Sequence, residues 1–222
     1  MHRTRIKICG LTREADVDAA VEAGADAIGF VLYPRSPRHV SVDRAAALAA
    51  RLPPFVMPVL LFVNEEPAAA RAALQAVPGA TAQFHGDESP ADCAASVPPG
   101  ARWIRAARMA PGFELLDFAD LFSAAQALLL DAHAEAYGGA GKVFDWSLVP
   151  QGVRAPLVLS GGLHAANVAQ GMARVRPWAV DVSSGVEAAK GLKDPVLMRR
   201  FCQAVRDADA ALAPARSEER PD

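Results

Sequence analysis

The sequence predicts a single (β/α)₈ barrel. Three observations carry that expectation. Eight short apolar runs alternate with Ala-rich helical stretches along the whole chain. Most runs are apolar at nearly every position, as in parallel strands buried on both faces. The chain also has 222 residues, 52 % of them hydrophobic, and no linker that would split it, which suits one large domain with a substantial core. The barrel is assigned to residues 1–212, and a frayed tail rich in Pro, Arg and Glu to 213–222. An open doubly wound sheet is the structural alternative.

The strand candidates in order are Arg5–Cys9, Ala27–Leu32, Pro58–Val63, Ala80–His85, Trp103–Ala107, Ala127–Asp131, Leu157–Ser160 and Ala179–Val182. Thr12 is the candidate cap of the first helix, with Glu14 and Asp16 in its first turn, where negative charge suits the helix dipole. Val17, Ala20, Val21 and Gly24 then share one face. Pro67 suits the first turn of a helix over Ala68–Val77. Asp194-Pro195 opens the last helix, with Leu197, Met198, Phe201, Cys202 and Val205 as its apolar stripe. Pro53-Pro54 and Pro98-Pro99-Gly100 are turns inside the alternation. The least regular stretch, residues 132–143, follows strand six and holds three glycines, which suggests a mobile lid.

Composition narrows the function. A net charge of −2 provides no field for nucleic acid or an anionic membrane, so any anion site must be local. No apolar stretch approaches the ~18 residues of a membrane span, and Met1-His2-Arg3-Thr4-Arg5 leads straight into a strand without the apolar core of a signal peptide. Cys9, Cys93 and Cys202 are odd in number and scattered, which fits a reducing cytoplasm rather than a disulfide framework. No Cys or His spacing suggests a metal site.

In a parallel barrel the C-terminal strand ends share one face, where such enzymes do their chemistry. Strand one ends in Cys9 and strand six in Asp131. Cys9 is either a buried small hydrophobe or a thiolate base, the latter needing positive charge or a helix N-terminus to favour ionisation. Asp131 is either a structural hydrogen-bonding carboxylate or an acid drawn out of water and suited to donating a proton. Cys93 and Cys202 fall mid-helix and read as packing residues. Ser160-Gly161-Gly162 ends strand seven and Asp181-Val182-Ser183-Ser184-Gly185 ends strand eight. Loops at these two places commonly form a phosphate site, in which glycines admit main-chain N–H groups and serines add donors. This makes Gly161, Gly162, Ser183, Ser184 and Gly185 the phosphate candidates. Gly138-Gly139-Ala140-Gly141-Lys142 fails the nucleotide P-loop pattern. Arg38, in a loop stiffened by Pro34 and Pro37, is either a solvated surface residue or a bidentate carboxylate clamp. His85, at the end of strand four, is a ligand contact or a structural histidine.

Lys7-Ile8-Cys9-Gly10, Ser36-Pro37-Arg38, Phe62-Val63-Asn64, His85-Gly86, Gly138-Gly139-Ala140-Gly141-Lys142, Phe144-Asp145-Trp146, Leu159-Ser160-Gly161-Gly162-Leu163 and Asp181-Val182-Ser183-Ser184-Gly185-Val186-Glu187 together resemble the phosphoribosylanthranilate isomerase family of tryptophan biosynthesis. The resemblance runs in order from about residue 5 to 205. It implies a (β/α)₈ barrel and an Amadori rearrangement with Cys9 as general base and Asp131 as general acid. It further implies that Arg38 holds the anthranilate carboxylate, that His85 and Asp181 contact substrate, and that the loops at Gly161-Gly162 and Ser183-Ser184-Gly185 hold the phosphate. Proton transfers need no metal or organic cofactor. A small phosphorylated substrate is the expected partner, and a monomer is expected rather than a homodimer. Phe84 and Ala132 depart from the residues common in the family at their positions. A histidine-pathway isomerase barrel is similar in scaffold but carries aspartate where Cys9 stands. An aldolase would want a pocket lysine, and only Lys7 and Lys142 are near. A non-catalytic phosphometabolite binder would leave the Cys9–Asp131 pair dispensable.

Overall fold

The computed structural model describes residues 3–132 and 143–213. The glycine-rich stretch over 133–142 and the tail beyond 213 lie outside the described residues. Eight parallel strands close into one barrel in sequence order. They are β1 (Arg5–Cys9), β2 (Ala27–Val31), β3 (Met57–Phe62), β4 (Thr81–Phe84), β5 (Trp103–Met109), β6 (Ala127–Ala132), β7 (Leu157–Leu159) and β8 (Ala179–Val182). The helices are α1 (Glu14–Ala23), α2 (Val42–Ala49), α3 (Pro67–Ala76), α4 (Pro90–Ala95), α5 (Leu115–Leu121), α6 (Val168–Val175) and α7 (Pro195–Leu212). Closure, not an open sheet, is the outcome.

The two-residue period of each strand sorts its side chains. Ile6, Ile8, Phe30, Phe62, Phe84, Leu128, Leu130 and Val180 join the large core between barrel and helices. Their neighbours face inward. Ala106, Ala127, Leu129, Val158 and Ala179 fill one interior cluster, and Cys9, Val31, Leu61 and Val63 another. Strands that bury apolar side chains on both faces therefore read as nearly continuous apolar runs.

Two local expectations are corrected. Thr12 does not cap α1; Arg13 holds the extended N-cap position with no side-chain cap bond. The Arg13 guanidinium instead pairs with Asp16 at 2.9 and 2.6 Å. Gly24 lies past the end of α1, at φ 95°, and the buried face includes Ala19 and Ala23. Ending a helix in the left-handed region suits glycine. The last helix follows its signals: the Asp194 carboxylate accepts from Val196 N at 2.7 Å and Leu197 N at 3.1 Å, and Met198, Phe201, Cys202 and Val205 are buried.

The sequence reading missed a short antiparallel hairpin after the eighth strand, β9 (Glu187–Ala189) with β10 (Leu192–Lys193). Its cue was Lys190-Gly191, a two-residue turn with Gly191 at φ 79°. A Cβ on Gly191 would lie 2.8 Å from the Pro37 carbonyl oxygen, so glycine lets the hairpin close on the loop after β2. Among the described residues no helix is long and apolar enough to cross a membrane.

Candidate active site

Cys9 is the last residue of β1 and Asp131 the penultimate residue of β6. The strands are parallel, so both side chains sit at the same end of the barrel, and both face inward. Cys9 is 5 % exposed and Asp131 8 %, so both are buried at that end. Two surface hollows, one lined by Pro98, Trp103 and Gln126 and the other by Leu157, Arg174 and Trp178, lie at the opposite end.

Glycines make the room. Gly29 is the register partner of Cys9, and a Cβ there would come within 2.6 Å of the Cys9 sulfur. Gly10, at φ 80°, leaves space for the Arg38 stem, which a Cβ would meet at 2.5 Å. Gly161, also at φ 80°, lies where a Cβ would stand 3.0 Å from Asp131 Oδ1. Gly29→Ala is expected to displace the thiol and lower kcat by about 10²-fold, the usual effect of an ångström-scale misplacement. Steady-state kinetics check this, and an unchanged kcat would contradict the tight contact.

Charges surround the thiol. Lys7 lies on the same face of β1, two residues before Cys9, and its Nζ donates to Asp181 Oδ1 at 2.9 Å. Ser160 Oγ donates to the other Asp181 oxygen at 3.3 Å. Asp181 is thus built into the barrel wall as the partner of Lys7. Burial pushes the Cys9 thiol above its ordinary value, while Lys7 and Lys193 work the other way. Of the two sources of help the sequence offered, positive charge is present as lysines, and burial outweighs them. Burial likewise pushes the Cys93 thiol to about 12 and that of Cys202 to about 11, as befits packing residues.

Burial opposes the Lys7 ammonium, but Asp181 and Cys9 outweigh it and hold the group at about 12, above the ordinary 10.5. A cation held above its unfolded value stabilises the fold fully below pH 10.5, and that stability fades as pH rises through 12. The loss expected is about 2 kcal/mol. Urea denaturation of wild type and Lys7→Met across that window checks it; the variant should show less alkaline loss. Equal loss in both would remove Lys7 as the cause.

Arg38 is buried rather than solvated, and its Nε and Nη2 donate to Glu187 Oε1 and Oε2 at 2.7 and 2.9 Å. Lys193, fully enclosed, donates to Glu187 Oε1 at 2.9 Å and to the Ser183 carbonyl at 2.9 Å. Burial would raise the Glu187 carboxyl, but Arg38 and Lys193 hold it below its ordinary value. Ser183 Oγ donates to the Cys9 carbonyl at 3.0 Å, tying β8 to β1. Sequence reasoning named Glu187 within a motif without a role and passed over Lys193; the missed hairpin is what carries both inward.

His85 follows β4 directly, and its N–H donates to the Phe62 carbonyl at 2.9 Å, so it keeps the barrel register. Its ring Nε2 lies 3.1 Å from Asp131 Oδ2, and the Ala132 N–H donates to Asp131 Oδ1 at 2.9 Å. The two loop candidates also meet. A Cβ on Gly185 would overlap the Leu163 carbonyl oxygen at 1.9 Å, so the turns after β7 and β8 touch. Ser184–Val186 forms one 3₁₀ turn. Among the described residues no three His, Cys, Asp or Glu side chains are placed to hold a metal ion.

A family model described as N-(5'phosphoribosyl)anthranilate (PRA) isomerase matches residues 6–204. The chain belongs to that family. A phosphoribosylanthranilate isomerase of Methylibium petroleiphilum is 70 % identical over 211 residues, covering 95 % of this chain and 98 % of the relative. The solved isomerase of Thermus thermophilus superposes with TM-score 0.84 at 32 % identity, over 92 % of this chain and 99 % of that one. Another solved isomerase, described as a complex with reduced 1-(o-carboxyphenylamino)-1-deoxyribulose 5-phosphate, superposes with TM-score 0.80 at 38 % identity and the same coverage. Membership in the phosphoribosylanthranilate isomerase family makes the chain an aldose–ketose isomerase of tryptophan biosynthesis.

Proposed function

We propose that the chain converts N-(5′-phosphoribosyl)anthranilate to 1-(2-carboxyphenylamino)-1-deoxyribulose 5-phosphate with Asp131 as general acid and Cys9 as general base. The observation that carries this reading is the placement of both groups, inward and at the same barrel end. Asp131 protonates the furanose ring oxygen, and the sugar opens to a Schiff base. Cys9 takes the C2′ proton, and the resulting enolamine tautomerises to the ketone. The base form is the thiolate, so the Cys9 proton must leave first. Lys7 and Lys193 are the charges that favour this against burial.

The phosphate is assigned to the touching turns, through Gly161, Gly162, Ser183, Ser184 and Gly185. The Ser183 hydroxyl is engaged with Cys9, which leaves main-chain N–H groups as its means of contact. Arg38 is assigned the anthranilate carboxylate. Its pairing with Glu187 fixes the guanidinium plane, and Nη1 is not committed to that pair. His85, just after β4, and Asp181, in β8, are assigned contacts to the substrate. A small phosphorylated substrate is the partner, and the chain is proposed to act as a monomer.

The direct test follows the fluorescence of phosphoribosylanthranilate with purified protein. Loss of signal with formation of the ketose is the expected result; a stable signal under conditions where a known isomerase consumes it would overturn the proposal. Arg38→Ala is expected to raise KM by about 10-fold or more, the worth of one charge-assisted contact, with a smaller change in kcat. A wild-type KM would remove Arg38 from the substrate.

A further inference from the structure

The proposed acid has a neighbour behind its neighbour. Gln83 and His85 lie two residues apart, both on the inward side, with Gln83 in β4 and His85 just beyond it, and Gln83 is wholly buried. Gln83 Nε2 stands 3.1 Å from His85 Nδ1, and His85 Nε2 stands 3.1 Å from Asp131 Oδ2. The other end of the amide, Gln83 Oε1, is buried with no hydrogen-bond partner among the described residues. A buried polar atom without a partner is costly and asks for a reason. Half a turn of the amide would place Oε1 against Nδ1 and Nε2 where Oε1 now is. Each orientation makes one bond to the ring and leaves one amide atom unbonded. The two are matched in bond count, and only a side chain that both donates and accepts has this choice.

We propose that Gln83 is a positioning residue for the acid: its amide, resting on His85 Nδ1, decides which ring nitrogen carries the proton. It thereby decides whether His85 donates to an Asp131 carboxylate or accepts from its carboxyl group. The proposal rests on Asp131 being the acid. With the amide N–H against Nδ1, that nitrogen accepts, Nε2 carries the hydrogen, and Nε2–H donates to Asp131 Oδ2. With the amide oxygen against Nδ1, Nδ1–H donates, and the bare Nε2 accepts from the Asp131 O–H. In both arrangements the imidazole is neutral, and the carboxylate of the first is held by Nε2–H and the Ala132 N–H. The acid before it gives its proton and the carboxylate afterwards each find a matching ring nitrogen. A carboxylate at position 83 can only accept, and a thioether of similar volume offers the ring no strong partner.

The test uses the whole chain with ¹⁵N-labelled histidine and no substrate, reading the His85 ring nitrogens by long-range ¹H–¹⁵N correlation. As pH rises, wild type is expected to show Nδ1–H while Asp131 holds its proton and Nε2–H once Asp131 is ionised, and Gln83→Glu a protonated Nδ1 throughout. In Gln83→Glu and Gln83→Met alike, kcat is expected to fall by about tenfold or more with KM nearly unchanged, the effect of misorienting an acid rather than losing a binding contact. A ring that responds to pH identically in wild type and Gln83→Glu, or an undiminished kcat in both variants, overturns the proposal. If Gln83→Glu does not fold, Gln83→Met carries the test, and a wild-type ring spectrum with wild-type kcat overturns it. Normal turnover by Asp131→Ala overturns the acid assignment and this proposal with it, whereas a ring that ignores Gln83 overturns this proposal alone.

Discussion

Asp131→Ala is expected to lower kcat by about 10²–10⁴-fold, the range for a positioned acid–base group, with KM changed little. The carboxylate stands at the end of β6 with each oxygen already oriented, Oδ1 by the Ala132 N–H and Oδ2 by His85. Nothing about the apolar strand beneath it, Leu128-Leu129-Leu130, depends on the carboxyl group, since Leu128 and Leu130 pack outward and Leu129 joins the interior cluster. The fold should therefore persist, which thermal melting of wild type and variant would verify. Turnover near the wild-type level in a folded Asp131→Ala protein would end the acid assignment.

Cys9→Ala is expected to cost a similar factor, about 10²–10⁴-fold in kcat, because an alanine offers no group to take the C2′ proton. The thiol sits among Val31, Leu61 and Val63, where a methyl group is tolerated, so the loss should appear in turnover and not in folding. A folded variant that retained turnover would show that the sulfur only fills space, which is the common fate of a buried cysteine. Paired with Asp131→Ala, the result also bears on the order of steps. If the acid opens the ring before the base acts, the double variant should be no slower than the slower single one by any large factor, because the slower of two successive steps limits turnover.

Much of this was legible in the chain itself because the signals were local. The apolar run Ile6 to Cys9 announces a strand buried on both faces, and Asp194-Pro195 announces a helix start; both stand as read. Cys9 and Asp131 could be placed at one end because parallel strands put like ends together. Thr12 misled because several residues near a helix start can cap it, and the one that does depends on where packing sets the first turn. The Lys190-Gly191 hairpin was overlooked because strands of three and two residues have no periodicity to detect.

By itself the sequence determined the eightfold alternation, the residues at the C-terminal strand ends and the family, since each follows from residue type at short spacing. Only the tertiary structure decided how the thiol is electrically surrounded. Lys7 meets Asp181 174 residues away, Arg38 meets Glu187 149 residues away, and Lys193 reaches Ser183, whose hydroxyl bonds to Cys9. Such contacts depend on barrel closure and strand register, and burial in a closed interior sets how strongly those charges act. No window of neighbouring residues contains either quantity.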